Sequence, residues 1–276
     1  MGKLIRYEIR GTYRYILGVL ALVLILTTGI YTYMNNMKEG SAFGAIFMGL
    51  SVLIIFGTAL ATFLYIVGSF RKELYDDRGY LTFTLPLTGN QIVGAKLIVA
   101  LMWFVVLGIT VGVYNTIMVL YFSPIEIDTA QFFIMLKTMG IPYREFIAFA
   151  LTSIIGGITT LILIYLSMAL SRVTFRNRRI GGLWFIIFLV LSTFITYSQV
   201  KIAHILPYYL DLNTFKIETV GMLNRGFDIA IDSSGVMMDR DMGNALLNIA
   251  SFIYSILIGI LTFLGTGYLI ENRIDL

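Results

Sequence analysis

Apolar residues gather into six long blocks, and polar residues fill the joints between them. The blocks cover residues 15–34, 42–70, 97–122, 146–170, 180–198 and 247–270 and contain no Asp, Glu, Lys, Arg or His. A helix needs about 20 apolar residues to cross the hydrocarbon of a bilayer, so each block is long enough. The second, third and fourth exceed that length and predict tilt, or helices that continue past the membrane. The expected fold class is all-α and polytopic, with six transmembrane helices forming one membrane domain over residues 1–276. Ionisable side chains inside a span mark proton relays, ion sites and catalytic dyads. These blocks supply none.

The joints carry patterns of their own. Lys3, Arg6, Arg10 and Arg14 recur at spacings of three, four and four, with Ile5, Ile9 and Tyr13 on the neighbouring face. That pattern predicts an N-terminal amphipathic helix lying in the interface. Gly11 weakens it by about 1 kcal/mol relative to Ala and would permit a bend into the first span. The bland alternative is that these charges only set topology. After the second block, Leu81, Phe83 and Leu85 alternate with Thr82 and Thr84, so an extended segment places all three on one face. Pro86 ends it. Thr88 is then an N-cap, Gln91 completes a capping box, and Leu87 and Ile92 occupy the staple positions. A helix is expected to begin near Gly89 and run into the third span. The apolar side chains before Pro86 either pack on the chain's own helices or face a partner.

Charge gives the sidedness. Of the 20 lysines and arginines, thirteen fall in residues 1–14, 71–96, 171–179 and the C-terminal tail, and seven in the alternate connections. The positive-inside rule then puts both termini in the cytoplasm and the 199–246 connection outside a cell membrane. Arg172, Arg176, Arg178 and Arg179, with no acidic neighbour, suit an anionic inner leaflet. The net charge of +4 follows from this asymmetry and asks for no nucleic acid. The first block lacks a small-residue cleavage site, and Arg6 stands where a myristoylation signal wants Ser or Thr. The composition, 58% hydrophobic with no cysteine, fits a membrane domain and excludes disulfides, thiolate catalysis and Cys-ligated zinc.

Candidate chemistry is sparse. Ser51, Thr58, Thr62, Tyr65 and Ser69 share one face of the second span. With Asn115 in the third span, Thr58, Thr62 and Tyr65 are candidates for lining a cargo pathway; close helix packing is the alternative use of such residues. Gly108 and Gly112 form a G-x-x-x-G. Outside, residues 204–210 read as an aromatic interfacial segment holding His204, the sole histidine. Phe227, Ile229 and Ile231 alternate with Asp228 and Asp232 ahead of Ser233-Ser234-Gly235, a short strand and turn. Asp228, Asp232, Asp239 and Asp241 do not have EF-hand spacing, so no metal site is expected. The nearest approach to a phosphate-binding loop, Gly89 to Lys96, has Ala95 where Lys is needed and Lys96 where Ser or Thr is needed. No catalytic residue, bound cofactor or ATP hydrolysis is expected of this chain. An intramembrane enzyme would need a base that no span provides. An ion-coupled carrier would need a midplane charge or a broken helix, whereas Pro86, Pro124, Pro142 and Pro207 all lie outside the blocks.

The loop GYLTFTLPLTGNQIVGAKL and the lead-in KLIRYEIRGTYRYIL resemble the membrane subunits of type-2 ATP-binding-cassette transporters. Six spans, internal termini and a long external connection before the sixth span fit the same plan. The resemblance implies a dimeric permease, homo- or heterodimeric, whose separate ATPase subunit binds ATP and Mg. In that family the connection after the second span is the coupling element. Carried over to this chain, the role falls on Glu73, Tyr80, Leu81, Phe83, Leu85 and Pro86. Permeases of about this size resemble exporters of phenol-soluble modulins or antimicrobial peptides, so an amphipathic peptide is the preferred cargo. Lipid or hydrophobic-drug extrusion, and an ion-coupled carrier or channel without an ATPase, are the alternatives.

Overall fold

A computed structural model describes residues 1–35, 43–75, 87–122, 143–174, 182–212, 215–219, 230–231, 236–238 and 245–273. Six long helices dominate: α1 (Gly2–Asn35), α2 (Phe43–Tyr75), α3 (Gly89–Phe122), α4 (Tyr143–Thr174), α5 (Leu183–Ile205) and α6 (Ile249–Asn272). All six contain a stretch long and apolar enough to cross a membrane. Their outer faces are hydrocarbon: Ile25, Phe56, Ile109, Val190 and Leu261 are 62–71% exposed. Leaving such side chains in water forgoes roughly 1.5–3 kcal/mol each, a cost that lipid removes. These are the features of a multi-pass membrane protein.

The helical expectation holds, and a small sheet is added to it. Between α5 and α6 the chain forms β1 (Tyr208–Asp211), β2 (Ile217–Thr219), β3 (Ala230–Ile231), β4 (Val236–Met238) and β5 (Ala245–Asn248). They make one antiparallel sheet in the order β2-β1-β5-β4-β3. The strand expected near Ile231 is β3, which pairs with β4 across residues outside the described set. The segment at 204–210 divides differently from the sequence reading: His204 lies exposed in the last turn of α5, and Tyr208 to Leu210 belong to β1. Strand alternation turns Tyr208 outward and buries Tyr209 completely.

The N-terminal segment also departs from expectation. Residues 2–35 form one helix, with no break at Gly11. The glycine's cost is small beside that of opening backbone hydrogen bonds against apolar surroundings. The buried stripe is Leu4, Glu8, Thr12, Ile16, Val23, Thr27 and Ile30, with Ile5 and Ile9 half-buried beside it and Tyr13 exposed. Lys3, Arg6, Arg10 and Arg14 are exposed, and Arg14 Nε donates to the Tyr13 hydroxyl at 3.1 Å.

The chain divides into two compact units, Met1–Phe70 with Gly94–Gly140 and Arg71–Val93 with Ile141–Leu276. In the first, Ile16 packs with Val99, Trp103 and Leu107, flanked by Ile5, Ile9, Leu20 and Met102. Polar pairs accompany this seam: Glu8 with Lys96, Thr12 with Trp103, Thr28 with Tyr114, and Tyr31 with Asn115. Partner numbers rise together, so α1 and α3 run parallel, as two spans entering from the same side must.

In the second unit α6 packs against α4 and α5. A Cβ on Gly259 would meet Thr159 Oγ1 at 3.2 Å, and one on Gly265 would touch Leu166. The start of α3 meets the end of α6 so closely that a Cβ on Gly89 would overlap the Gly267 carbonyl, and one on Gly267 would overlap Asn90. Asn248 ties the sheet to the helices. It closes β5, caps α6 by accepting from Ser251 N at 2.8 Å, and donates to Leu206 O at 3.2 Å.

Candidate functional site

The coupling candidates lie at the junction between α2 and α3. Glu73 is half-buried in the last turn of α2. Tyr80, Leu81, Phe83, Leu85 and Pro86 fall outside the described residues. Beyond them, the start of α3 is built as its sequence dictates. Thr88 N donates to Gln91 Oε1 at 3.3 Å, and Gln91 N points back at Thr88 Oγ1 at 3.4 Å, the reciprocal geometry of a capping box. Gly89 N donates to Glu271 Oε2 at 3.1 Å. That carboxylate sits at the positive end of the α3 dipole, which favours it. Glu271 escaped the sequence reading because nothing local links it to a residue 182 positions away.

Of the pathway candidates in the first unit, Thr58 and Thr62 are buried, and Tyr65 and Asn115 are partly exposed. Thr58 is buried and donates to Ile54 O at 2.6 Å; Thr62 is completely buried. Tyr65 donates to Gly11 O at 3.2 Å and stacks on Tyr15 with ring centroids 3.9 Å apart. Asn115 Nδ2 donates to Val111 O at 2.8 Å, and its Oδ1 lies 3.4 Å from the Tyr31 hydroxyl. Gly108 and Gly112 are exposed, and a Cβ on either would meet nothing within 4 Å.

Lys96, counted among the charges that give the sidedness, lies inside the protein. It is buried, and its Nζ lies 2.7 Å from Glu8 Oε1. It also sits 5.9 Å from the centre of the Phe70 ring, within cation–π range. Trp103 Nε1 donates to Thr12 Oγ1 at 2.9 Å, and Thr12 donates to Glu8 O at 2.9 Å, so the pair belongs to a larger buried polar cluster. A signal was present: Leu4, Glu8, Thr12 and Ile16 recur at intervals of four on one face.

Among α4, α5 and α6 the second unit has a partly open cavity of ≈ 100 Å³. Thr152, Thr159 and Thr160 of α4, Ser192, Thr196 and Gln199 of α5, and Ser255 of α6 supply its polar wall; Leu163, Phe188 and Phe252 are among its apolar contributors. Among the described residues, no ionisable side chain lines it. The three faces follow from helical spacing: 152, 156, 159 and 163; 188, 192, 195 and 199; 252, 255 and 258. Each face was legible separately, but only packing brings them together. The cavity lies toward the helix ends from which the sheet connection departs, where burial raises the Tyr209 phenol above its ordinary range and the Asn248 amide offsets part of that rise.

Among the described residues, no three His, Cys, Asp or Glu side chains gather as a metal site would require. Asp228, Asp232, Asp239 and Asp241 lie outside that set. Compared with known proteins, the chain matches no family model, no curated protein and no solved structure.

Proposed function

We propose that this chain is the membrane-spanning subunit of an ATP-driven exporter of the type-2 ATP-binding-cassette class. It works as one of two permease subunits beside a separate cytoplasmic ATPase, with both termini on the ATPase side. The observation that carries the reading is the loop of residues 79–97, in which apolar Tyr80, Leu81, Phe83 and Leu85 precede Pro86 and a capped helix. A cytoplasmic loop has no use for four large apolar side chains in water. Docked on a partner, each is worth roughly 1.5–3 kcal/mol.

The capping box fixes where α3 begins, so a push on the loop is delivered to a helix with a defined N-terminus. The cargo that suits the chain is amphipathic, with an antimicrobial or toxin peptide preferred, because the spans offer no charge to coordinate an ion.

Co-purification with candidate ATPase subunits tests the assignment. Replacing Leu81 and Phe83 together with Ser should release the ATPase while the six helices stay folded by circular dichroism. A double variant that keeps its ATPase and exports normally overturns the proposal.

A further inference from the structure

The cavity among α4, α5 and α6 has a chemical polarity that its composition does not suggest. Thr and Ser hydroxyls each own one proton and two lone pairs. Five of the lining hydroxyls have already spent that proton on their own helix. Thr152 donates to Ala148 O at 2.9 Å, Thr159 to Ile155 O at 2.9 Å, Thr160 to Gly156 O at 2.8 Å, Ser192 to Leu189 O at 3.0 Å, and Ser255 to Phe252 O at 2.7 Å. What these five leave for a guest is oxygen lone pairs. Gln199 is the counterweight. It lines the cavity, is only 7% exposed, and its Nε2 is buried without an acceptor among the described residues. A buried donor left unmet costs about 1–3 kcal/mol, so its persistence at a cavity wall points to something that meets it.

We infer that this cavity is a binding site for an uncharged amide group, a primary carboxamide or a peptide bond. An amide brings N–H donors for the hydroxyl oxygens and a carbonyl for the Gln199 amide. A carboxylate would face lone pairs of its own sign, and an ammonium would lack a counter-charge in a site of low dielectric. Size agrees. Pockets for whole drug-sized molecules run to about 300–1,000 Å³, whereas this one holds a single functional group. The inference does not depend on ATP coupling and stands or falls separately from it.

The cysteine-free chain allows a direct test. Ser255→Cys on the lining and Ser153→Cys on the exposed side of α4 are introduced singly into the full chain in lipid nanodiscs, and their modification by methyl methanethiosulfonate is timed. Acetamide at twice its dissociation constant should slow Ser255→Cys about threefold by simple occupancy. Ser153→Cys should not respond, and methylammonium chloride or sodium acetate should protect neither. Adding Gln199→Leu, or Gln199→Met should the first fail to fold, should abolish the protection. Equal protection by methylammonium or acetate overturns the inference, as does protection that survives loss of Gln199, or none at all. A Ser255→Cys that the reagent never reaches also overturns it, since such a site is closed to an amide.

Discussion

Lys96 and Glu8 form an ion pair of 2.7 Å between the start of α3 and the first turns of α1, with both side chains more than nine-tenths buried. The link joins two helices 88 residues apart in sequence. Breaking such a pair strands a charge, whereas removing both members leaves only a packing question. Lys96→Met alone should therefore destabilise the fold by about 3–5 kcal/mol, and Glu8→Leu alone by a similar amount. The double variant should recover most of that loss. Denaturant unfolding of the three purified proteins in detergent checks it; additive losses would show that the two side chains act independently.

The contact of Gly89 with Gly267 leaves no room for a methyl group on either residue. Gly267→Ala should cost about 1–3 kcal/mol, because the intruding Cβ meets Asn90 at the start of another helix. Gly112→Ala, whose Cβ enters open space, should change stability little and slightly favour the helix. Equal melting temperatures for the two variants would contradict the close approach.

Tyr209 sets an alkaline limit on the sheet. Burial raises its phenol, so the folded protein holds the proton at a pH where the unfolded chain has lost it. A raised acid contributes stability below the unfolded value near 10, and that contribution is lost as pH rises from there toward the folded value. Melting temperature should fall above about pH 10, and Tyr209→Phe should flatten the fall. An unchanged slope in the variant would assign the loss to other groups.

Sidedness is open to labelling. Thr174 at the end of α4 and Thr219 in β2 are both exposed, and cysteine at either is the only thiol in the chain. In intact cells an impermeant maleimide should modify Thr219→Cys and not Thr174→Cys. The reverse pattern would invert the proposed topology.

Much of the helical plan was legible in the sequence because its causes are local. Hydropathy adds residue by residue, so six apolar blocks declare six helices whatever they pack against. The capping box at Thr88 and Gln91 closes within four residues and placed the start of α3 correctly. Facing was another matter. Helical spacing put Ile5, Ile9 and Tyr13 on one apolar face for the interface, but the face of α1 buried most deeply is Leu4, Glu8, Thr12 and Ile16. Tyr209 reads in the sequence as part of an aromatic interfacial segment, and only antiparallel pairing sets it opposite Asn248. The hydroxyls of α4, α5 and α6 each satisfy their own helix, so nothing in any one segment marks them as a wall. Only the convergence of three helices turns them into a cavity and leaves Gln199 facing a question its own helix cannot answer. Local sequence decides which segments are helical and where they stop. Which faces meet depends on side chains far apart in the chain, and that information exists only once the helices have packed.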